Sequence, residues 1–101
     1  MKTRLELQSK LVELLGNNHV YYQPPESLKM EYPCIRYSKS DIANTNADNV
    51  KYCTNDRYEI VVIDKLPEND VIKKIIDLPY TSFDRHYTSN NLNHDVIIIY
   101  L

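Results

Sequence analysis

The chain has 101 residues, a single glycine, no tryptophan and a formal net charge of −2. A chain of this length closes one hydrophobic core, in which roughly two-thirds of the unfolded surface becomes buried. The acidic balance excludes the basic face expected of a free nucleic-acid-binding domain. The single glycine excludes the glycine-rich loops that hold phosphates in P-loop and dinucleotide-binding proteins.

The cysteine content and the N-terminus bear on the compartment in which the chain folds. Cys34 and Cys53 do not amount to the disulfide framework of a small secreted domain, and we interpret them as reduced packing thiols. The first residues lack the apolar core of a signal peptide, and no segment reaches the roughly 18 apolar residues of a membrane span. We therefore expect a protein that is soluble and cytosolic when it is made.

The first predicted elements are a helix and a short strand. Thr3 and Glu6 have the spacing of a capping box, and Gly16 stands where a helix end needs a left-handed residue. The helix is therefore predicted from about residue 4 to about residue 15. A strand follows at 20–22 and ends at two prolines, because proline cannot donate a hydrogen bond to a β-ladder.

Two longer strands are predicted from alternating polarity, one beginning at Cys34 and the other running from Val50 to Ile63. We expect them to pair as a hairpin. Between them, residues 41–49 are rich in asparagine and aspartate and lack a two-residue turn signal, which predicts a loop. Two interpretations of this loop stay open: a hairpin tip without function, and an arm that a partner orders.

A second helix, two strands and a turn complete the chain. The apolar stripe from Val71 to Ile76 has helical spacing, and the helix must end before Pro79. We predict strands at 80–88 and 95–101, with a turn at 89–93 between them. The predicted order is α-β-β-β-α-β-β, in one domain over residues 1–101, because no repeat or linker divides the chain.

The C-terminal fifth concentrates the polar chemistry of the chain. Two acid–imidazole neighbourhoods suggest catalysis, and a small metal-dependent hydrolase using His86 and His94 is one alternative. Neither a Cys-x2-Cys pair nor two histidines one helical turn apart occurs, so we expect no metal. The sequence indicates neither a positioned partner nor a pocket for a general base, so we expect no catalytic residue and no cofactor. We favour a hairpin whose cross-strand contacts fix its register through Phe83, Asp84, Arg85, His86, Tyr87, His94 and Asp95.

The last strand and the nine tyrosines raise the question of an interface. The apolar run at 96–99 is expected to be buried within the subunit, whereas the two residues after it are expected to meet a neighbour. Tyrosine suits both a thin sheet and a protein interface, and both interpretations stay open. The candidate oligomer or partner interface comprises Asn44, Asn46, Asp48, Tyr52, Tyr100 and Leu101.

Six segments together resemble a family of small tailed-phage proteins that are encoded among the head–tail joining and tail genes. Members are called tail completion, tail terminator or minor structural proteins. The resemblance covers essentially the whole chain, and residues 83–87 and 91–95 are its most specific parts. The segments are Val20 to Pro25, Met30 to Tyr37, Tyr58 to Asp64, Leu78 to Tyr80, Phe83 to Tyr87 and Asn91 to Asp95.

The resemblance implies an α+β subunit with a twisted, mostly antiparallel sheet flanked by two helices. It implies a non-catalytic virion protein whose ring, commonly a hexamer, caps the tail tube at its head-proximal end and meets the head–tail connector protein. The implied partners are further copies of the chain, the tail tube protein and the connector, while DNA passes through the lumen without specific binding. Alternatives are a head-completion adaptor on the portal side and a small cytosolic regulator that binds a host protein.

Overall fold

The computed structural model describes residues 3–25, 27–47, 50–67 and 69–101, and the side chains of all of these except 41–47 and 50–55. It confirms an α+β fold with the predicted order of elements. The elements are α1 (Arg4–Leu15), β1 (Val20–Tyr22), β2 (Cys34–Ala47), β3 (Val50–Asp64), α2 (Asp70–Ile76), β4 (Thr81–Ser89) and β5 (Leu92–Tyr100).

The strands form one five-stranded sheet in the order β1-β2-β3-β5-β4. Strand β1 runs parallel to β2, and the other three neighbouring pairs are antiparallel. The prediction of a mostly antiparallel sheet, with a hairpin between β2 and β3, is therefore confirmed. Strands β1 and β4 form the two edges.

Helix α1 has the ends that its sequence predicts. The Oγ1 atom of Thr3 accepts a hydrogen bond from the backbone N–H of Glu6, at 3.2 Å. Gly16 has a φ of 84°, and its N–H donates to the carbonyl of Val12 at 2.9 Å. These two caps satisfy backbone groups that the helix itself leaves unpaired, and they fix its bounds.

Both helices pack on the same face of the sheet and cover the larger hydrophobic cluster. Its buried members are Leu7, Leu11, Val20, Ile35, Tyr37, Tyr58, Ile60, Val62, Val71, Ile75, Ile97 and Ile99. A smaller cluster on the opposite face consists of Cys34, Val61, Ile63 and Val96. The predicted alternation along β2 and β3 is confirmed, because successive residues enter different clusters.

The turn between β4 and β5 is shorter than predicted. Strand β5 begins at Leu92, and only Asn90 and Asn91 lie between the strands, with φ angles of 53° and 63°. Two successive left-handed residues form the type of turn whose twist matches an antiparallel hairpin, and asparagine tolerates that conformation better than most residues. The predicted five-residue turn is therefore wrong.

The segment predicted as a loop between β2 and β3 is also different. Strand β2 continues to Ala47 and pairs with β3, which begins at Val50, so the prediction of a loop is wrong for residues 41–47. Residues 48 and 49 lie outside the described residues. Residues 41–47 form a strand although asparagine and aspartate have low β-propensity, because the backbone pairing of the hairpin continues outward from its buried part.

The outer part of this hairpin, residues 42–56, is called the arm. Strand β5 pairs with β3 only as far as Arg57, and β1 pairs with β2 only as far as Tyr37. Six residues of β2, from Ile42 to Ala47, therefore extend about 20 Å without a third strand beside them in the described part of the chain. The longest axis of the molecule is accordingly 48 Å, against 29 and 24 Å for the other two.

Candidate assembly surfaces

The β4–β5 hairpin brings an acid and an imidazole together. His86 and Asp95 are direct cross-strand partners, and His86 Nδ1 lies 2.7 Å from Asp95 Oδ1. Asp95 is only 8% exposed, whereas His86 is open to solvent. The contact therefore supplies a partner for a carboxylate that the fold largely removes from water.

The neighbouring cross-strand pair is Tyr87 and His94, whose rings stack with centroids 4.6 Å apart and an interplanar angle of 10°. Because successive residues of β5 point to opposite faces, His94 and Asp95 lie on different sides of the sheet. His86 is on the side of Asp95, so His86 and His94 cannot ligate one ion within a subunit. The described residues contain no group of three or more histidine, cysteine or acidic side chains suited to a metal.

The remaining residues of the predicted register motif lie on the exposed edge strand. The register shifts between Phe83 and Arg85, which makes Asp84 the extra residue of a β-bulge, and Asp84 forms an ion pair with Arg85. Phe83 lies outside the core and is 48% exposed. Bulges and charged side chains are features by which natural edge strands avoid pairing with another chain. Strand β4 is therefore a guarded edge.

Three tyrosines form a packed cluster where the arm leaves the sheet. The ring centroids of Tyr22, Tyr37 and Tyr58 lie 4.9 to 6.4 Å apart. The Tyr37 hydroxyl donates to Gln8 Oε1 at 2.5 Å and accepts a hydrogen bond from Arg4 at 3.3 Å. Burial raises the pKa of Tyr37, and its hydrogen bond from Arg4 offsets part of that effect. These rings belong to the core, which favours the packing interpretation for them.

Other tyrosines stay at the surface. Tyr80 is 79% exposed and Tyr100 is 37% exposed, and the Tyr100 N–H donates to the Tyr80 carbonyl at 3.1 Å. Val96 to Ile99 are buried, as expected. Leu101 packs partly against the larger cluster of its own chain, and its N–H donates to the Asp56 carbonyl at 2.9 Å.

The other candidate interface residues belong to the arm. Asn44 and Asn46 lie on β2 and Tyr52 lies on β3, with their side chains outside the described residues. Asp48 also lies outside the described residues. Tyr100 pairs with Arg57, and the Leu101 N–H donates to the Asp56 carbonyl, so these two residues of the interface prediction lie at the base of the arm.

A groove on the face of the sheet opposite the helices was not predicted from the sequence. It lies between the segment at 23–32 and the strands, and it contains two cavities of about 200 and 210 Å³. The residues that line both cavities are Pro24 and Arg36. The larger cavity is otherwise lined mainly by apolar and uncharged polar side chains, including Leu28, Met30 and Ile63.

Arg36 is the unusual residue of this groove. On β2 it faces the same side as Cys34, and its cross-strand partner is the buried Val61. Its Nε atom is buried and has no hydrogen-bond partner, and no ion pair to Arg36 is present among the described residues. The sequence could have indicated this residue, because Arg36 lies two residues after Cys34 on β2 and therefore on the same side of the strand as a buried side chain.

The two cysteines do not form a pair. Cys34 is a free, buried thiol, and burial raises its pKa to about 11. Cys53 pairs in register with Thr45, which lies eleven residues beyond Cys34 on β2, or about 36 Å of strand. No disulfide spans that distance.

Two further observations concern membrane-spanning helices and similarity to known proteins. Among the described residues, no helix combines the length and apolar character needed to cross a membrane. No family model, curated protein or solved structure matches this chain.

Proposed function

We propose that this chain is a structural virion protein whose copies form a ring at the head-proximal end of a phage tail. The ring would end the tail tube and join it to the head–tail connector. The observation that carries the proposal is the arm, in which β2 and β3 continue beyond every other strand of the described sheet. The resemblance to tail terminator proteins supplies the biological setting.

A two-stranded ribbon is marginally stable in water, because it has no third strand and no core of its own to cover its faces. Contact with another copy would bury one face of the arm and offset the entropy of ordering it. We infer that the arm of one copy meets a surface of the next copy other than its arm. Such a contact between unlike surfaces is the kind that generates rings.

The features of edge strand β4 make it a poor candidate for the contact between copies. Strand β4 has a bulge at Asp84 and charged residues beside it, which oppose edge-to-edge pairing with a second sheet. The arm has no further strand paired to either side in the described residues, although its own pairing shifts register between Thr45 and Asn46. We therefore assign the arm, rather than β4, to the contact between copies.

The charge and the histidines support a structural role over an enzymatic one. A net charge of −2 suits a conduit through which DNA slides, since a basic lining would bind phosphate tightly. The hydrolase alternative required His86 and His94 to act on one metal ion, and the two rings lie on opposite faces of the sheet.

The test compares the intact chain with a variant that lacks the arm. In this variant, residues 44–54 are replaced by an Asn-Gly turn, which suits a two-residue hairpin connection. Light scattering and electron microscopy of the purified intact protein should show rings, and the rings should bind isolated tail tubes. The armless variant should remain folded by circular dichroism and should be monomeric.

Two results would overturn the proposal. One is an intact protein that stays monomeric at high concentration and binds neither tail tubes nor connectors. The other is a folded armless variant that still forms rings, because the arm would then have no part in the contact. Preference for connectors over tail tubes would assign the ring to the portal side as an adaptor.

A further inference from the structure

We propose that the arm turns on a β-bulge at Ser40 and is held at one angle by two side-chain contacts, one on each face of the sheet. The contacts are the ion pair between Lys39 and Asp56 and the hydrogen bonds between Ser40 and Arg57. This inference rests on the proposed function where it concerns assembly, because the angle of the arm would set the angle between neighbouring copies.

The β-bulge lies where the arm leaves the rest of the sheet. Lys39 of β2 opposes Tyr58 of β3, and the next paired residue of β2 is Asp41, so Ser40 is an extra residue outside the ladder. A bulge of this kind bends the strand and increases its local twist. The arm begins at Ile42, two residues beyond the bulge, and neither β1 nor β5 pairs beyond that point. The bulge is therefore the place at which the arm can change its angle to the sheet.

The first contact crosses the bulge on the face that the helices cover. Lys39 Nζ lies 3.5 Å from Asp56 Oδ2, and Asp56 belongs to the first residue pair of the arm. The same ammonium group lies 5.9 Å from the centroid of the Tyr58 ring, which is buried in the larger hydrophobic cluster. Lys39 therefore links a fixed ring of the sheet to the beginning of the arm.

The second contact crosses the bulge on the opposite face. Arg57 Nη1 donates to Ser40 Oγ at 3.1 Å, and that hydroxyl donates to the Arg57 carbonyl at 3.2 Å. Arg57 and Asp56 are successive residues of β3, so their side chains point to opposite faces. A bend of the arm toward either face would lengthen the contact on the other face. The two contacts together therefore oppose motion in both directions.

Both contacts lie at the surface, which makes the angle of the arm adjustable. The side chains of Lys39 and Asp56 are each 40% exposed, and the hydrogen bonds between Ser40 and Arg57 are also exposed. Exposed ion pairs are weak, and salt screens them. We expect the ion pair to hold the arm at low ionic strength and to release part of its motion at high ionic strength.

The experiment measures the position of the arm by single-molecule energy transfer at picomolar concentration, where no second copy contributes. One dye is attached to Cys53 in the arm, and the other is attached through a Ser89→Cys change at the opposite end of the sheet. Cys34 stays unlabelled because its thiol is buried. Donor lifetimes report motion that is faster than the passage of one molecule through the beam.

Three variants and one change of solvent test the two contacts. Lys39→Glu places like charges across the bulge and should raise the population of displaced arms at least about threefold, and Ser40→Ala should raise it as well. Lys39→Glu combined with Asp56→Lys should restore that population to within about twofold of the unaltered chain. High salt should displace the arm of the unaltered chain but not that of a Lys39→Met variant, which has no ion pair to screen.

The matched control is another exposed ion pair, which lies on α1. Lys10 Nζ is 3.7 Å from Glu13 Oε2, and Lys10→Glu makes the same charge change on a helix instead of at the bulge. This variant should leave the position of the arm unchanged. Thermal unfolding of every variant shows whether the fold is retained.

The outcomes distinguish this inference from the proposed function. Arm positions after Lys39→Glu and Ser40→Ala that match the Lys10→Glu control would overturn the inference, and so would an exchanged pair no better than Lys39→Glu alone. Analytical ultracentrifugation measures ring formation separately. Normal rings with an arm that does not respond would overturn only this inference. A chain that never associates, but whose arm responds as expected, would overturn only the proposed function.

Discussion

The contact between His86 and Asp95 provides the strongest test of the predicted register motif. Replacing His86 by alanine removes the hydrogen bond to Asp95 that is present among the described residues, and Asp95 is only 8% exposed. Leaving a buried acceptor unpaired costs about 1–3 kcal/mol. The His86 side chain is 39% exposed, so water can approach the vacated site, and we expect a loss of about 1–2 kcal/mol.

That loss is measurable by urea unfolding followed by circular dichroism. For a domain of this size it corresponds to a fall in Tm of about 4–8 °C per kcal/mol. The slope with urea should not change, because the unfolding transition exposes the same surface. A double-mutant cycle with His86→Ala and Asp95→Ala should give a coupling free energy of about 1 kcal/mol.

The adjacent pair supplies a matched control cycle on the other face. Tyr87→Ala and His94→Ala remove a half-buried stacked pair with no hydrogen bond between its members in the described residues, and we expect coupling of about 0.5 kcal/mol. If the effects of His86→Ala and Asp95→Ala were simply additive, the two side chains would not hold the hairpin in register. The predicted role of the motif would then be wrong.

Three further predictions concern the core, the thiol and the turn. Tyr37→Phe should cost about 1 kcal/mol at pH 7 by removing a buried hydroxyl, whereas Tyr22→Phe should cost less, since no hydrogen bond to its hydroxyl is present among the described residues. Because burial raises the pKa of Tyr37 above 10.0, the free energy of unfolding should be maintained below pH 10 and fall above it; Tyr37→Phe should reduce that fall in alkaline urea titrations. In a Cys53→Ser background, Cys34 should react with a thiol reagent at pH 8 at least about a hundredfold more slowly than in urea, since its pKa rises from 9.0 to about 11. Asn91→Gly should raise the free energy of unfolding by about 0.5 kcal/mol, because glycine adopts a φ of 63° at lower cost than asparagine; thermal unfolding measures this.

Local signals in the sequence predicted the helices and the inner strands well. The bounds of α1 follow from Thr3 and Gly16, whose side-chain and backbone preferences act within a few residues. Alternation likewise assigned Ile35 and Cys34 to different faces. Such features depend on neighbours along the chain, and one sequence contains all the information that they require.

Features that depend on distant partners were predicted poorly. The asparagine-rich outer part of β2 has little intrinsic strand preference, and it is a strand because β3 continues beside it. The groove around Arg36 forms only when β2, β3 and the 23–32 segment come together. No pattern along the chain encodes the position of β5 between β3 and β4. The two-residue turn that includes Asn90 was also missed, because it lacks the glycine that usually marks a turn of this kind in a sequence.

A contact made through the arm would constrain the kind of assembly that the chain can form. If the arm of each copy contacts a different surface of the next copy, a dimer satisfies both copies only where a two-fold axis lets the two contacts form at once. Contacts between unlike surfaces continue until they close as a ring or extend as a filament. The angle at which the arm leaves the sheet decides between these results, and the buried ring of Tyr58 and the Lys39–Asp56 ion pair lie at that point. A ring that ends a tail would have to close, because a filament would extend the tail rather than end it, and the packed aromatic cluster at the base of the arm would hold the arm at one angle, as closure requires.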